Sequence, residues 1–327
     1  MAHELDFTTG EAAFAHTGEK AWHGLGNELE VGASIETWAS AAKMDWEIFR
    51  TAVKFDVVSD DMSALTNTLI YPDKHVLYRS DTNSPLSVVS DSYKIVQPLE
   101  VLEFYRDLVA TAGLELETAG VLFGGRRFFA LANTAKMTVL PGDDKVKGYL
   151  LLTTSCDGTL ATTAQFTSVR VVCNNTSKIA LNDGNYKIKV PHNRVWKPSE
   201  VKEQLGFIDE GWNRFSDQIG LLAAKTVERD RAVEYLIELF GDPTIGVEDQ
   251  NPAVMQKCAN VWALFQGEGM GAKLTSAEDT MWGLLMSVTE TIDHHTAHRT
   301  ADSRVNNAWY GAGAALKTKA FELALAM

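Results

Sequence analysis

Apolar positions along the chain change their period twice, and each change predicts a change of architecture. Up to about residue 92 the pattern predicts short elements. Ile35, Trp38, Ala39 and Ala42 are spaced for one face of a short helix opening at an N-cap Ser34. "EIFRTAVKF" alternates as a half-buried strand does, and "HVLYRS" and "PLSVVS" predict two more strands around the turn "DTNSP". A helix then opens after Pro98, with Val101, Leu102, Tyr105, Leu108 and Val109 on one face and Gly113 as its stop. "LELETAGVLFGGRRFFALANTAK" predicts two strands about "GG", and "GYLLLTTSCDGTLATTAQFTSV" two more about "DG". "VCNNTSKIAL" reads as a strand end turning into a short helix. "NYKIKVPH" reads as a short strand with Lys187 and Lys189 on one face.

From Ser199 onward the period becomes helical. Val201, Leu205, Ile208, Trp212, Phe215, Ile219 and Leu222 recur at three- and four-residue steps and predict a long amphipathic helix reaching about Phe240, with an interruption near Arg229. "NPAVMQKCANVWALFQG", "AEDTMWGLLMSVTETIDHH" and "NNAWYGAGAALKTKAFELALAM" predict three further helices. The expected fold class is therefore α+β: an antiparallel β-sheet with a packed helix in the N-terminal and central parts, and an all-α C-terminal third. The expected organisation is a β-rich α+β domain over 1–198 and a helical region over 199–327 packed on it.

Composition narrows the class without naming a function. A chain of 327 residues that is 45% hydrophobic and 22% charged has an ordinary globular balance and enough apolar material for a large core. No apolar run approaches 18 residues, and "MAHELDFTTG" lacks the basic and apolar regions of a signal peptide, so a cytoplasmic protein without a membrane partner is expected. Cys156, Cys173 and Cys258 form no CxxC pair and are odd in number, which suits reduced thiols.

Charge is unevenly distributed. Residues 1–119 carry 8 Lys and Arg against 20 Asp and Glu, residues 120–200 carry 11 against 5, and residues 201–327 carry 11 against 18, within a net charge of −13. The acidic whole repels polyanions on average, while the basic segment 120–200 supplies a local cationic footprint. There, basic side chains interleave with aromatic and hydroxyl groups in "GGRRFF", "TTSCDGTLATTAQFTSVR" and "NYKIKVPHNRVW". Strand alternation is expected to turn Thr159, Thr163, Gln165 and Thr167 outward and Leu160, Ala164 and Phe166 inward.

Three other constellations carry candidate chemistry. Cys173 has Arg170 and Lys178 as cationic neighbours and is the candidate nucleophile of a cysteine-dependent enzyme, with His23 of "AWHGLG" as its base. Glu290, His294 and His298 fall at i, i+4 and i+8 and would form a three-ligand metal face on a continuous helix, although "HHTAH" lacks the glutamate of HExxH. There is no GxxxxGK[ST], GxSxG or SxxK, so neither a P-loop nor a familiar serine hydrolase is supported.

"AWHGLG", "YKIVQP", "ETAGVLFGGRRFFAL", "DGTLATTAQFTSVRVVCNNTSKIAL" and "WGLLMSVTETIDHH" occur in an order that resembles a phage/plasmid-like protein family built on a domain of unknown function. The resemblance covers nearly the whole chain and implies a setting in mobile-element DNA metabolism. β-Hairpins followed by a helix, with a local basic strip, are also similar in architecture to the oligomeric single-strand annealing proteins, which the long helical C-terminal part and the acidity depart from.

The resulting expectation is a phage-type single-stranded DNA-binding protein, without enzymatic activity or cofactor, that promotes strand annealing in recombination as a homo-oligomer. Arg126, Arg127, Arg170, Lys178, Lys187, Lys189 and Arg194 are expected to contact phosphates, and Phe128, Phe166 and Tyr186 to stack on bases. The rival classes are a metal- or cysteine-dependent hydrolase and an acidic regulatory protein that binds a host protein.

Overall fold

The computed structural model describes residues 12–18, 26–57, 67–172, 175–178, 187–203, 208–297 and 301–327. Its centre is an eight-stranded sheet of β1 (Phe14–Thr17), β2 (Asn27–Leu29), β6 (Glu115–Leu122), β7 (Arg127–Leu140), β8 (Asp144–Ser155), β9 (Thr162–Arg170), β10 (Asn175–Lys178) and β11 (Lys187–Val190). The order is β10-β9-β8-β7-β6-β1-β2, with β11 also on β9. Among the described residues of this sheet only the β1–β2 pairing is parallel. A separate antiparallel sheet joins β3 (Ile48–Val57), β4 (Asn67–Arg79) and β5 (Pro85–Ser90). The expected α+β class is what the chain forms, with a helical C-terminal region.

The large sheet is covered on both faces. Phe128, Ala130, Ala132, Leu150, Leu152 and Ala164 enter one core, shared with α1 (Ile35–Ala41) and α2 (Pro98–Ala112). The alternate residues Phe129, Leu131, Tyr149 and Leu151 enter another, capped by Ala308 and Trp309. Two-sided burial explains why "RFFALA" and "YLLL" read as unbroken apolar runs. α1 opens as expected, Ser34 Oγ accepting from the Thr37 N–H at 3.2 Å. α2 starts at Pro98, with the Glu100 carboxylate accepting from the Gln97 N–H, and ends at Gly113 in the left-handed region (φ 65°). Its Val101, Leu102, Tyr105 and Leu108 are buried, but Val109 lies at the exposed border of the apolar face.

The helical region is α3 (Pro198–Glu203), α4 (Ile208–Ala224), α5 (Arg229–Phe240), α6 (Pro252–Ala263), α7 (Met281–Glu290), α8 (Ala301–Trp309) and α9 (Ala312–Ala326). The long helix expected over 199–240 is thus divided, with one break at the residues before Arg229. Every residue of α7 is buried, as befits a helix packed on all sides. This region's core takes Leu140, Val146 and Phe166 from the large sheet, and Thr138 Oγ1 donates to Ser216 Oγ at 2.8 Å. No helix among the described residues is long and apolar enough to cross a membrane.

The seam between sheet and helices is tight at Gly148. A Cβ there would lie 2.8 Å from Phe166 Cζ and 2.9 Å from Trp212 Cζ3, two rings packed edge to face at 5.8 Å. Gly148→Ala is expected to cost about 1–3 kcal/mol through overpacking, read as a lowered urea midpoint. A neutral result would show that the two rings yield without loss.

The two strands expected about "DG" are β8 and β9, joined by a six-residue loop, 156–161, in which Asp157 Oδ1 accepts from the Thr159 N–H and hydroxyl at 3.0 and 2.6 Å. Two local expectations are corrected. Asn175–Lys178 is not helical but a strand, held by antiparallel pairing with Thr167–Arg170. After Glu290 the chain makes a π-helical turn over Thr291–His295, which breaks the i, i+4 alignment expected of Glu290 and His294.

Candidate functional site

The outer edge of β9 carries two strands end to end, β10 along Thr167–Arg170 and β11 along Thr162–Gln165. β11 has a cationic side and an apolar side. Lys187 and Lys189 are exposed and pair with Gln165 and Thr163, while Ile188 and Val190 pack against the core that contains α2. Neither lysine forms an ion pair among the described residues. The Lys187 ammonium is pushed below its ordinary pKa by burial of its surroundings and then by the charge of Lys189, so each cation stands in the other's field.

β11 leads into a turn bound to two neighbouring loops by His192. Its Nδ1 lies 2.9 Å from the Lys94 carbonyl and its Nε2 3.1 Å from the Leu160 carbonyl. Its ring stacks on Tyr93 at 4.5 Å, and the Tyr93 hydroxyl donates to the Ser155 carbonyl at 2.8 Å. The exposed Arg194 follows two residues later. The β6–β7 connection reaches the same end of the sheet, since Cys156 N–H donates to the Arg126 carbonyl and Arg127 pairs with Ser155. Arg126 is exposed there, its Nε donating to the Phe123 carbonyl at 3.0 Å. Lys187, Lys189, Arg194 and Arg126 therefore belong to one edge and one end of the sheet.

Arg127 is held in the wall beneath them. Its Nη2 donates to Thr159 Oγ1 at 2.8 Å, and its guanidinium lies 5.3 Å from the Phe123 ring and 5.8 Å from that of Tyr310. Burial lowers its pKa, against the opposing charge of Asp157. Burial also opposes ionisation of Asp157, but hydrogen bonds from Thr159 and Ser155 and the charge of Arg127 outweigh it and hold the carboxyl below its ordinary value.

Other expected contacts lie elsewhere. Arg170 is 2% exposed and faces Asp144, its Nε 2.8 and 2.9 Å from the two carboxylate oxygens and its Nη2 2.8 Å from Oδ2. It is a structural cation and has no surface to offer a phosphate. Phe128 and Phe166 are core residues and have none to offer a base. Thr163, Gln165 and Thr167 do share the face opposite Ala164 and Phe166, yet that face is covered and all three are buried. Lys178 lies on β10 opposite Thr167, and Tyr186 lies outside the described residues.

Of the enzymatic candidates, Cys173, His23 and His298 also lie outside the described residues. Glu290 is buried and accepts from the Met270 N–H at 3.0 Å, and the imidazole within reach of it belongs to His295, at 3.5 Å, rather than His294. Nearby, Lys317 Nζ and Asp293 form a buried ion pair at 2.6 Å. Among the described residues no group of three His, Cys, Asp or Glu is placed to hold a metal ion. The Cys156 thiol is pushed up to about 12 by burial and by Asp157, and its Sγ donates to the Gly125 carbonyl. Iodoacetamide at pH 8 is expected to leave it unmodified in the native protein and to alkylate it in urea, as read by peptide mass spectrometry. Native alkylation would show the thiol to be accessible.

Sequence reasoning missed His192, Tyr93 and Asp157, which position the loops. Tyr93 and His192 stand in "YKIVQP" and "KVPHNR", but their stacking joins segments 99 residues apart and leaves no local signal.

Fold and site together define a mixed-sheet α+β protein with a cationic edge on an acidic body. The family described as a domain of unknown function (DUF932) matches residues 85–309, and the chain belongs to that family. No curated protein and no solved structure matches it.

Proposed function

We propose that this chain binds single-stranded DNA along the β11 edge, through Lys187, Lys189, Arg194 and Arg126. The observation that carries the reading is the set of exposed cations without carboxylate partners among the described residues, on a protein whose net charge is −13. Successive outward residues of a strand are about 6.6 Å apart, so two lysines at i and i+2 can engage neighbouring phosphates of an extended strand. Because Phe128 and Phe166 are buried, the binding rests on phosphate contacts and is tolerant of base sequence. A strand held by its backbone keeps its base edges free to pair, which suits a role in annealing in the cytoplasm of a cell carrying a phage or plasmid.

The test is fluorescence anisotropy of a labelled single strand of mixed sequence, titrated with protein from low to physiological salt. Affinity is expected to fall linearly on a log–log plot, with a slope of about −0.7 per phosphate contacted. Absence of binding at low salt would overturn the reading.

A further inference from the structure

The three-stranded sheet ends in an arm whose surface is at odds with its position. β3 is an edge strand, and beyond a bulge in β4 it continues with β4 as a two-stranded ribbon: Lys54 pairs with Ile70, Phe55 with Leu69, Asp56 with Thr68 and Val57 with Asn67. Phe55, Val57 and Leu69 are 45%, 44% and 42% exposed. Register places Phe55 and Leu69 side by side on one face, with Val57 two residues along the same face. At its start the open edge is closed by a side chain, Ile48 N–H donating to Gln97 Oε1 at 2.8 Å and the Ile48 carbonyl accepting from Gln97 Nε2 at 3.2 Å. Beyond that point no described strand pairs with it.

We propose that this edge is the interface of a twofold dimer, in which β3 pairs antiparallel with β3 of a second copy and joins the two small sheets into one of six strands. Charge selects the register. With Phe55 on the twofold axis, Lys54 stands opposite the partner's Asp56, and Asp56 opposite the partner's Lys54. Centring the pair on Lys54 or on Asp56 would set like charges directly across from each other, which is unfavourable. Centring it on Val53 would set Arg50 opposite the partner's Asp56, but the Arg50 guanidinium is already held by the carbonyls of Ser90 and Asp91 at 2.8 and 3.2 Å, and Lys54 would face Ala52.

The chosen register needs the N–H and C=O of Lys54 and Asp56 to face outward, in the sense in which those of Ile48 face Gln97. Phe55 then meets its own copy at a non-hydrogen-bonded position, where side chains approach most closely. Leu69, Phe55 and their two counterparts form a continuous apolar strip across four strands. An isologous contact requires such self-complementarity, which an unrelated partner would not.

Light scattering coupled to size-exclusion chromatography, without nucleic acid, tests the proposal independently of DNA binding. The wild-type chain is expected to be dimeric, and Lys54→Asp and Asp56→Lys each to raise its dissociation constant at least about tenfold through opposed like charges. The double variant Lys54→Asp/Asp56→Lys restores the complementary pairs and should return the dimer. Phe55→Cys is expected to form a disulfide-linked dimer under mild oxidation, since a directly opposed pair meets disulfide geometry, whereas Val57→Cys, opposite the partner's Val53, should not. Wild type run in parallel is the blank for the native thiols. A monomer throughout the micromolar range, a dimer indifferent to both charge reversals, or cross-linking through Val53→Cys in place of Phe55→Cys would overturn it.

Discussion

Replacing Asp144 with alanine is expected to destabilise the protein by about 3–5 kcal/mol, as removal of one partner from a buried ion pair does. Asp144 opens β8, and its carboxylate is saturated by donors from distant parts of the chain. Arg170, near the end of β9, supplies Nε and Nη2; Ser276 Oγ donates at 2.6 Å and Trp282 Nε1 at 3.1 Å, both to Oδ2. Arg170 in turn donates to the Gly271 carbonyl at 3.1 Å. The group therefore joins two strands to the loop before α7 and to α7 itself. Alanine leaves a guanidinium, a hydroxyl and an indole N–H short of their acceptor in a site from which water is excluded, and each such donor carries a desolvation cost.

Asp144→Leu combined with Arg170→Met should recover much of the loss, because an apolar pair removes the stranded charge as well. Urea unfolding followed by tryptophan fluorescence reads both variants. A loss below about 1 kcal/mol for Asp144→Ala would place the pair among weak surface-like bridges and contradict its role as the joint between sheet and helices.

How much of this was legible in the sequence depended on the range of the interaction. α2 was legible because Pro98, a 3.6-residue apolar period and Gly113 are all local. β6 and β7 were legible because their pairing crosses a short turn. The division of helix from strand at Asn175–Lys178 was not, since that strand exists through its pairing with β9 rather than through its own residues. The same holds at the candidate site. Lys187 and Lys189 could be placed on one face from alternation alone. Arg170 could not be recognised as structural, because its partner Asp144 is brought to it by the β8–β9 register. Thr163, Gln165 and Thr167 were placed outward on the premise that one side of the sheet meets solvent, while Phe166 was expected to point inward and yet to stack on a base. Neither survives, because α4 and α7 close the core around Phe166 and α8 caps the opposite face. The π-helical turn after Glu290 likewise left no mark in the spacing of Glu290 and His294.

The charge reversal Lys187→Glu/Lys189→Glu should weaken single-strand binding by about a hundredfold at physiological salt, while leaving the fold intact. Each lysine–phosphate contact on a single strand contributes a salt slope of about 0.7, so two contacts at 0.15 M are worth roughly tenfold in affinity; reversing rather than removing the charges adds repulsion of similar size. The salt slope itself should become shallower by at least about 1.4, a change that general misfolding would not produce with this regularity. Both residues are exposed on an edge strand whose apolar side, Ile188 and Val190, is untouched, so unfolding midpoints are expected to stay within about 0.5 kcal/mol of wild type. Lys197→Glu is the control, with half the change in net charge. Its ammonium already lies 2.6 Å from Glu200, and a cation so compensated has little field left for a phosphate. A loss in the control half as large, on a logarithmic scale, as that of the double variant would mean that net charge alone governs binding, and an unchanged slope in the double variant would remove β11 from the interface.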